Sequence, residues 1–90
     1  MKIYKYGLVF SEIQEILLPK GAKILTVQCQ NKMPYIWALI NEKETTDEAR
    51  VIAIRETGSE FDIVGEYIGT YQRLDGFYVF HVFEITKNDN

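Results

Sequence analysis

Cysteine is almost missing from these 90 residues. Cys29 stands alone, which excludes an internal disulfide framework and any multi-thiolate zinc site. Histidine is as scarce, with His81 the only one, so a metal site would have to draw its other ligands from carboxylates with no spacing that announces them. Alanine occurs only four times, too seldom for a helical bundle. A basic excess is missing too. Ten Lys and Arg face thirteen Asp and Glu, for a net charge of −3, so no broad basic surface is expected and nucleic acid is not an expected partner. No apolar run approaches a membrane span, and residues 1–10 lack the apolar centre and small-residue cleavage site of a secretory leader. The expectation is a cytoplasmic chain without membrane contact, metal or cofactor.

Branched and aromatic side chains fill the composition instead. Eleven Ile, six Val, six Thr and twelve aromatics suit pleated strands, where such side chains pack on both faces. With 47% hydrophobic residues, the chain can build one modest core, so residues 1–90 read as a single β domain. Residues 1–10 alternate, with Tyr4, Tyr6, Leu8 and Phe10 on one face. Strands are predicted over 13–18, 23–30 and 35–40, separated by turn chemistry at Pro19-Lys20-Gly21-Ala22 and Asn31-Lys32-Met33-Pro34. In the third strand Leu25, Val27 and Cys29 are expected to share one face, opposite Ile24, Thr26 and Gln28. The run Tyr35 to Ile40 is apolar on both faces and reads as a central strand, with Trp37 expected first in the core and second as a stacking platform for a base. An acidic loop follows over 41–49, where Thr45 and Glu48 have capping-box spacing.

The fifth strand is predicted over 50–57, with Ile52 and Ile54 facing opposite to Ala53, Arg55 and Thr57. The apolar residues of 58–65 suggest a connection tucked over the core. A sixth strand over 66–73 contains Gly69, the mark of a bulge or close backbone approach. Leu74-Asp75-Gly76 turns the chain into a last strand over 77–85, ahead of a polar tail. Seven short antiparallel strands make a small sandwich or a partly open barrel. The last strand is apolar on both faces, so one face is expected to meet a second subunit and the protein to be a homo-oligomer.

Chemistry is sparse. His81 shares a face with Val79 and Phe83 and reads first as a structural histidine, second as a group that binds a polar ligand. Ser11 and Ser59 lie in no nucleophile-elbow pattern. Arg55 precedes the turn Thr57-Gly58-Ser59, whose N–H groups and hydroxyls, with a guanidinium fork, are equipment for one phosphate. Tyr71 or His81, from the closing hairpin, would complete such a pocket. The plain alternative pairs Arg55 with a surface glutamate.

Several blocks of the chain together resemble a family of short, mostly phage-encoded proteins of unassigned function. They are Ile-Tyr-Lys-Tyr at 3–6, the Leu-Pro-x-Gly-Ala-x-Ile-Leu-x-Val-Gln block at 18–28 and Trp-Ala-Leu at 37–39, then Tyr-Ile-Gly-Thr at 67–70 and Phe-His-Val-Phe-Glu at 80–84. That family has Gly-Thr-Gly-His in the middle connection, where this chain has Glu56-Thr57-Gly58-Ser59, so Ser59 replaces the family histidine. The resemblance implies a phage or prophage accessory protein in the host cytoplasm. The expected function is a non-enzymatic oligomer that sequesters a small anionic, nucleotide-type immune signal through Arg55, Thr57, Gly58, Ser59, Tyr71 and His81. Two other readings stay open: an interaction module that docks on a host or phage protein, and a small nucleotide hydrolase with His81 as base.

Overall fold

A computed structural model of the chain describes residues 1–62 and 65–86. Seven strands follow one another: β1 (Lys2–Gly7), β2 (Ile13–Pro19), β3 (Lys23–Gln30), β4 (Met33–Ile40), β5 (Asp47–Glu56), β6 (Gly65–Arg73) and β7 (Tyr78–Ile85). They form two antiparallel sheets, ordered β1-β4-β3 and β2-β5-β7-β6. The arrangement is sandwich-like, with no closed barrel. The expectation of Ile63 and Val64 over the core, and that of a polar tail at 87–90, fall outside the described residues.

Turn chemistry sets the corners. Gly21 takes φ 81° and the Ala22 N–H donates to the Pro19 carbonyl, closing the β2–β3 turn. Asn31 and Lys32 both have positive φ, the signature of a two-residue hairpin. The β3–β4 turn is therefore shorter than the sequence reading, and Met33 and Pro34 already belong to β4. Residues Thr45 to Glu48 form no helical turn. β5 starts at Asp47, and the Glu48 carboxylate accepts the Gly21 N–H from across the sheet.

Alternation fills the space between the sheets. Leu8, just past β1, with Val27 and Ile36 of the smaller sheet joins Ile52, Ile54, Tyr71 and Val82 of the larger in one buried cluster. A second holds Leu18, Ala22, Ala38 and Ile40. Each fully buried Leu, Ile or Val contributes about 1.5–3 kcal/mol. A bulge between Ile24 and Thr26 shifts the register of β3, so Ile24 packs inward with Val27 and Cys29 while Leu25 is exposed. This corrects the face expected for Ile24 and Leu25. β4 is central, as expected, but Trp37 is not in the sandwich core. Ile36, Ala38 and Ile40 take the inner positions, and Trp37 lies half-buried on the outer face between Lys5 and Thr26.

The sheets approach most closely where β6 passes β3. A Cβ on Gly69 would lie 3.0 Å from Val27 Cγ1 and 3.7 Å from the Val27 nitrogen, so any larger residue presses on the Val27 side chain. A bulge between Tyr67 and Gly69 accompanies the approach. Beside it, the half-buried Arg50 guanidinium bonds both Glu84 oxygens and the Ala22 carbonyl, tying β5, β7 and the β2–β3 turn together. Its charged form is reinforced by the bond to Glu84, despite the cost of burial.

Candidate functional site

The register of the four-stranded sheet decides which of the expected site residues meet. Arg55 lies opposite His81 across β5 and β7, and His81 lies opposite Thr70 across β7 and β6. All three share the outer face, away from the core. Thr57, two residues beyond Arg55, reaches His81 as well: its Oγ1 is 2.7 Å from Nε2. Thr70 Oγ1 is 2.9 Å from the other ring nitrogen, Nδ1, and 2.5 Å from the Tyr67 hydroxyl.

One polarity satisfies the whole chain of groups. Tyr67 donates to Thr70, Thr70 donates to Nδ1, Nε2–H donates to Thr57, and Thr57 donates to the Val79 carbonyl. Among the described residues His81 is thus held by two hydroxyls and no carboxylate. That arrangement ties the end of β5 to β6 and β7. Among the described residues it has no acidic partner of the kind that orients a general-base histidine.

Arg55 departs from the surface-pair alternative. Among the described residues no carboxylate lies within ion-pair distance of it. Its Nη1 donates to the Glu12 and Ile54 carbonyls, and the guanidinium carbon sits 5.8 Å from the Phe61 ring centre. Nε and Nη2 meet no acceptor among the described residues. Phe61 packs on Phe83 at 5.7 Å, and Tyr67 on the same ring at 5.6 Å, forming an aromatic border.

The turn after β5 offers less than its sequence promised. Gly58 takes φ 92°, as a turn glycine does. The Thr57 N–H is spent on the Val79 carbonyl, and both the Ser59 N–H and its hydroxyl on the Glu56 carbonyl. Only the Gly58 N–H is left to a ligand among these three. Tyr71 is separated from the others. It points into the core, 3% exposed and stacked on Phe80 at 5.3 Å, with its hydroxyl unpartnered among the described residues. Burial pushes its pKa up to about 12. The sheet lies between Tyr71 and His81, so the two do not line one pocket.

A cavity of about 340 Å³ opens at this end of the sandwich. Phe10, Ile54 and Phe80 line its apolar part, and Arg55, Ser59 and Glu12 contribute its polar groups. Glu56 lines it as well, a second acidic residue. Arg55 and Ser59 were legible as site residues. Phe10, Glu12 and Phe80 were not, because nothing in the alternation of 1–10 tells that the β1–β2 corner folds against the inner face of β7. No group of three or more His, Cys, Asp or Glu gathers at metal-ligand spacing among the described residues.

A family model described as a domain of unknown function, DUF7352, matches residues 1–90. No curated protein and no solved structure matches the chain.

Proposed function

The chain belongs to the DUF7352 family, and from that premise we propose that it is a non-enzymatic binding protein for a small anionic, nucleotide-type molecule. The reading extends to a phage or prophage accessory protein, oligomeric and acting in the host cytoplasm, that blunts host defence by sequestering an immune signal. The observation that carries it is Arg55: it is among the residues that line a partly apolar cavity, and its guanidinium Nε and Nη2 meet no acceptor among the described residues. A fork of that kind pairs with one phosphate. The apolar wall of Phe10, Ile54 and Phe80 suits a flat ring. Glu12 and Glu56 oppose phosphate, so Arg55 is the one cation of the lining that favours it, and the two carboxylates suit ring amines or sugar hydroxyls as donors. Thr57 and His81 hold the turn from behind. Sequestration needs affinity alone, in keeping with a histidine held by two threonines.

The oligomer rests on the outer face of the four-stranded sheet. Ile13, Leu17 and Tyr67 are each more than half exposed there, beside the partly covered Phe83. A second copy would bury them. Light scattering that gives one chain's mass at micromolar concentration overturns this part.

Calorimetric titration with cyclic dinucleotides and ADP-ribose-type nucleotides tests the binding site. Wild-type protein is expected to bind one class and release it chemically intact on denaturation. Arg55→Ala removes a charge-assisted contact of about 1.5–3 kcal/mol, a roughly tenfold to hundredfold loss of affinity. Undiminished affinity in Arg55→Ala, or a chemically altered ligand, overturns the proposal. Failure to bind any nucleotide, with capture of a defined host protein, favours the interaction module.

A further inference from the structure

The net charge of −3 hides a segregation. None of the thirteen acidic residues lies in β1, β3 or β4, the three strands of the smaller sheet. These strands carry Lys2, Lys5 and Lys23, and the turns at the two ends of β3 add Lys20 and Lys32. Glu42 lies beyond the end of β4, where it pairs with the Met1 amino group. The electrostatic objection to nucleic acid therefore applies to the whole chain and not to this sheet.

The outer face of the smaller sheet has the matching side chains. Tyr35 and Trp37 sit on it two residues apart, with Lys5 and Gly7 on one side and Thr26 and Gln28 on the other. Both rings are half-buried: seated in the sheet, with part of their surface open. Lys5 Nζ lies 4.7 Å from the Tyr35 ring centre and 5.9 Å from that of Trp37, and it donates to Gln30 Oε1 at 2.5 Å. Lys5, Gln28 and Gln30 are exposed. Donors, amides and rings on an open sheet face, with no carboxylate among them, make an electrostatic and stacking surface.

We propose that this face binds single-stranded nucleic acid. Tyr35 and Trp37 are successive same-face positions, about 7 Å apart along the strand, and so present platforms to two neighbouring bases. Lys5 leaves the rings for a phosphate as a base takes its place. Lys23 and the turn lysines track the backbone, and Gln28 and Gln30 meet base edges. An open face bordered by lysines fits a strand that runs across it. The Arg55 cavity lies on the other sheet and is a separate site.

Trp37 is the only tryptophan, so its emission reports occupancy directly. Titration of the whole protein with a ten-nucleotide oligothymidylate is expected to quench it saturably. Two or three phosphate contacts predict about a tenfold weakening between 50 and 200 mM salt. The double variant Lys5→Glu, Lys23→Glu changes two exposed side chains; it is expected to keep its melting temperature and lose affinity at least tenfold. Arg55→Ala is expected to bind the oligonucleotide like wild type. Absence of quenching at about 1 mM oligonucleotide, beyond the weak end of non-specific binding, overturns the proposal. So does unchanged affinity in the double variant, or thymidine monophosphate binding as tightly as the oligonucleotide.

Discussion

Tyr71→Phe is expected to make the domain more stable. The ring is 3% exposed and stacks on Phe80, and the substitution preserves that packing. The hydroxyl has no partner among the described residues, so folding strips it of water without return. A buried unsatisfied group of this kind costs about 1–3 kcal/mol. Part of that gain is offset by the small void left behind, which sets the net gain at about 1 kcal/mol. For a domain of this size that raises the melting temperature by about 4–8 °C.

Alkaline pH sharpens the test. The folded Tyr71 pKa is raised from 10.0 to about 12, mainly by burial, with the Cys29 charge adding and Arg73 opposing. Between those values the unfolded chain has lost the proton and the folded chain keeps it. The stability linked to this group is therefore complete below pH 10 and is lost as pH rises toward 12. At pH 11 the loss is about 1 kcal/mol, and the phenylalanine variant has none of it. Urea unfolding followed by Trp37 emission at pH 8 and pH 11 measures both effects. The variant's advantage should widen from about 1 to about 2 kcal/mol across that interval. A variant less stable than wild type at pH 8, or an advantage that stays constant, refutes the reasoning. Tyr71→Phe should also keep full nucleotide affinity, since only the buried hydroxyl is lost and Phe80 keeps its stacking partner.

Other consequences can be checked on the same unfolding curves. Gly69→Ala drives a methyl group against Val27 at the approach of the two sheets and is expected to cost about 1–3 kcal/mol. Leu74, exposed at φ 52°, holds a left-handed conformation that costs a branched side chain about 1–2 kcal/mol, so Leu74→Gly should stabilise the hairpin by up to about 1 kcal/mol. Glu84→Gln leaves the half-buried Arg50 without its bidentate partner and is expected to cost about 2 kcal/mol, less than a fully buried pair because water reaches the site. A melting temperature that stays put in any of these would contradict the contact it rests on.

How far the sequence led follows from where alternation carries information. It placed all seven strands, because branched residues with Gly, Pro and Asn punctuation mark strands and turns locally. Ile52 and Ile54 went to one face and Arg55 and Thr57 to the other, because β5 runs without interruption. Bulges defeated the same logic elsewhere. The irregularity at Leu25 reverses Ile24, and the one before Gly69 puts Tyr67 on the face of Thr70 while Tyr71 turns inward. Simple alternation would have kept Tyr67 and Tyr71 together. Trp37 was misplaced because a strand apolar on both sides does not say which face meets the core. The candidate site was legible only in part, at Arg55 and Ser59, since its remaining wall comes from a corner distant in sequence. Charge segregation between the sheets was invisible to a summed charge.

The order of strands in the larger sheet also governs how the domain comes into being. β7 is the last of the described strands, yet it lies inside its sheet, between β5 and β6. During synthesis β2 waits more than twenty residues for β5, and β5 then presents a bare edge until β7 emerges. For that interval Ile52 and Ile54 lack Val82 beside them. The larger sheet therefore closes in one late event, and a chain halted at the β6–β7 hairpin is an open strand edge with an apolar face, a template for pairing with its neighbours.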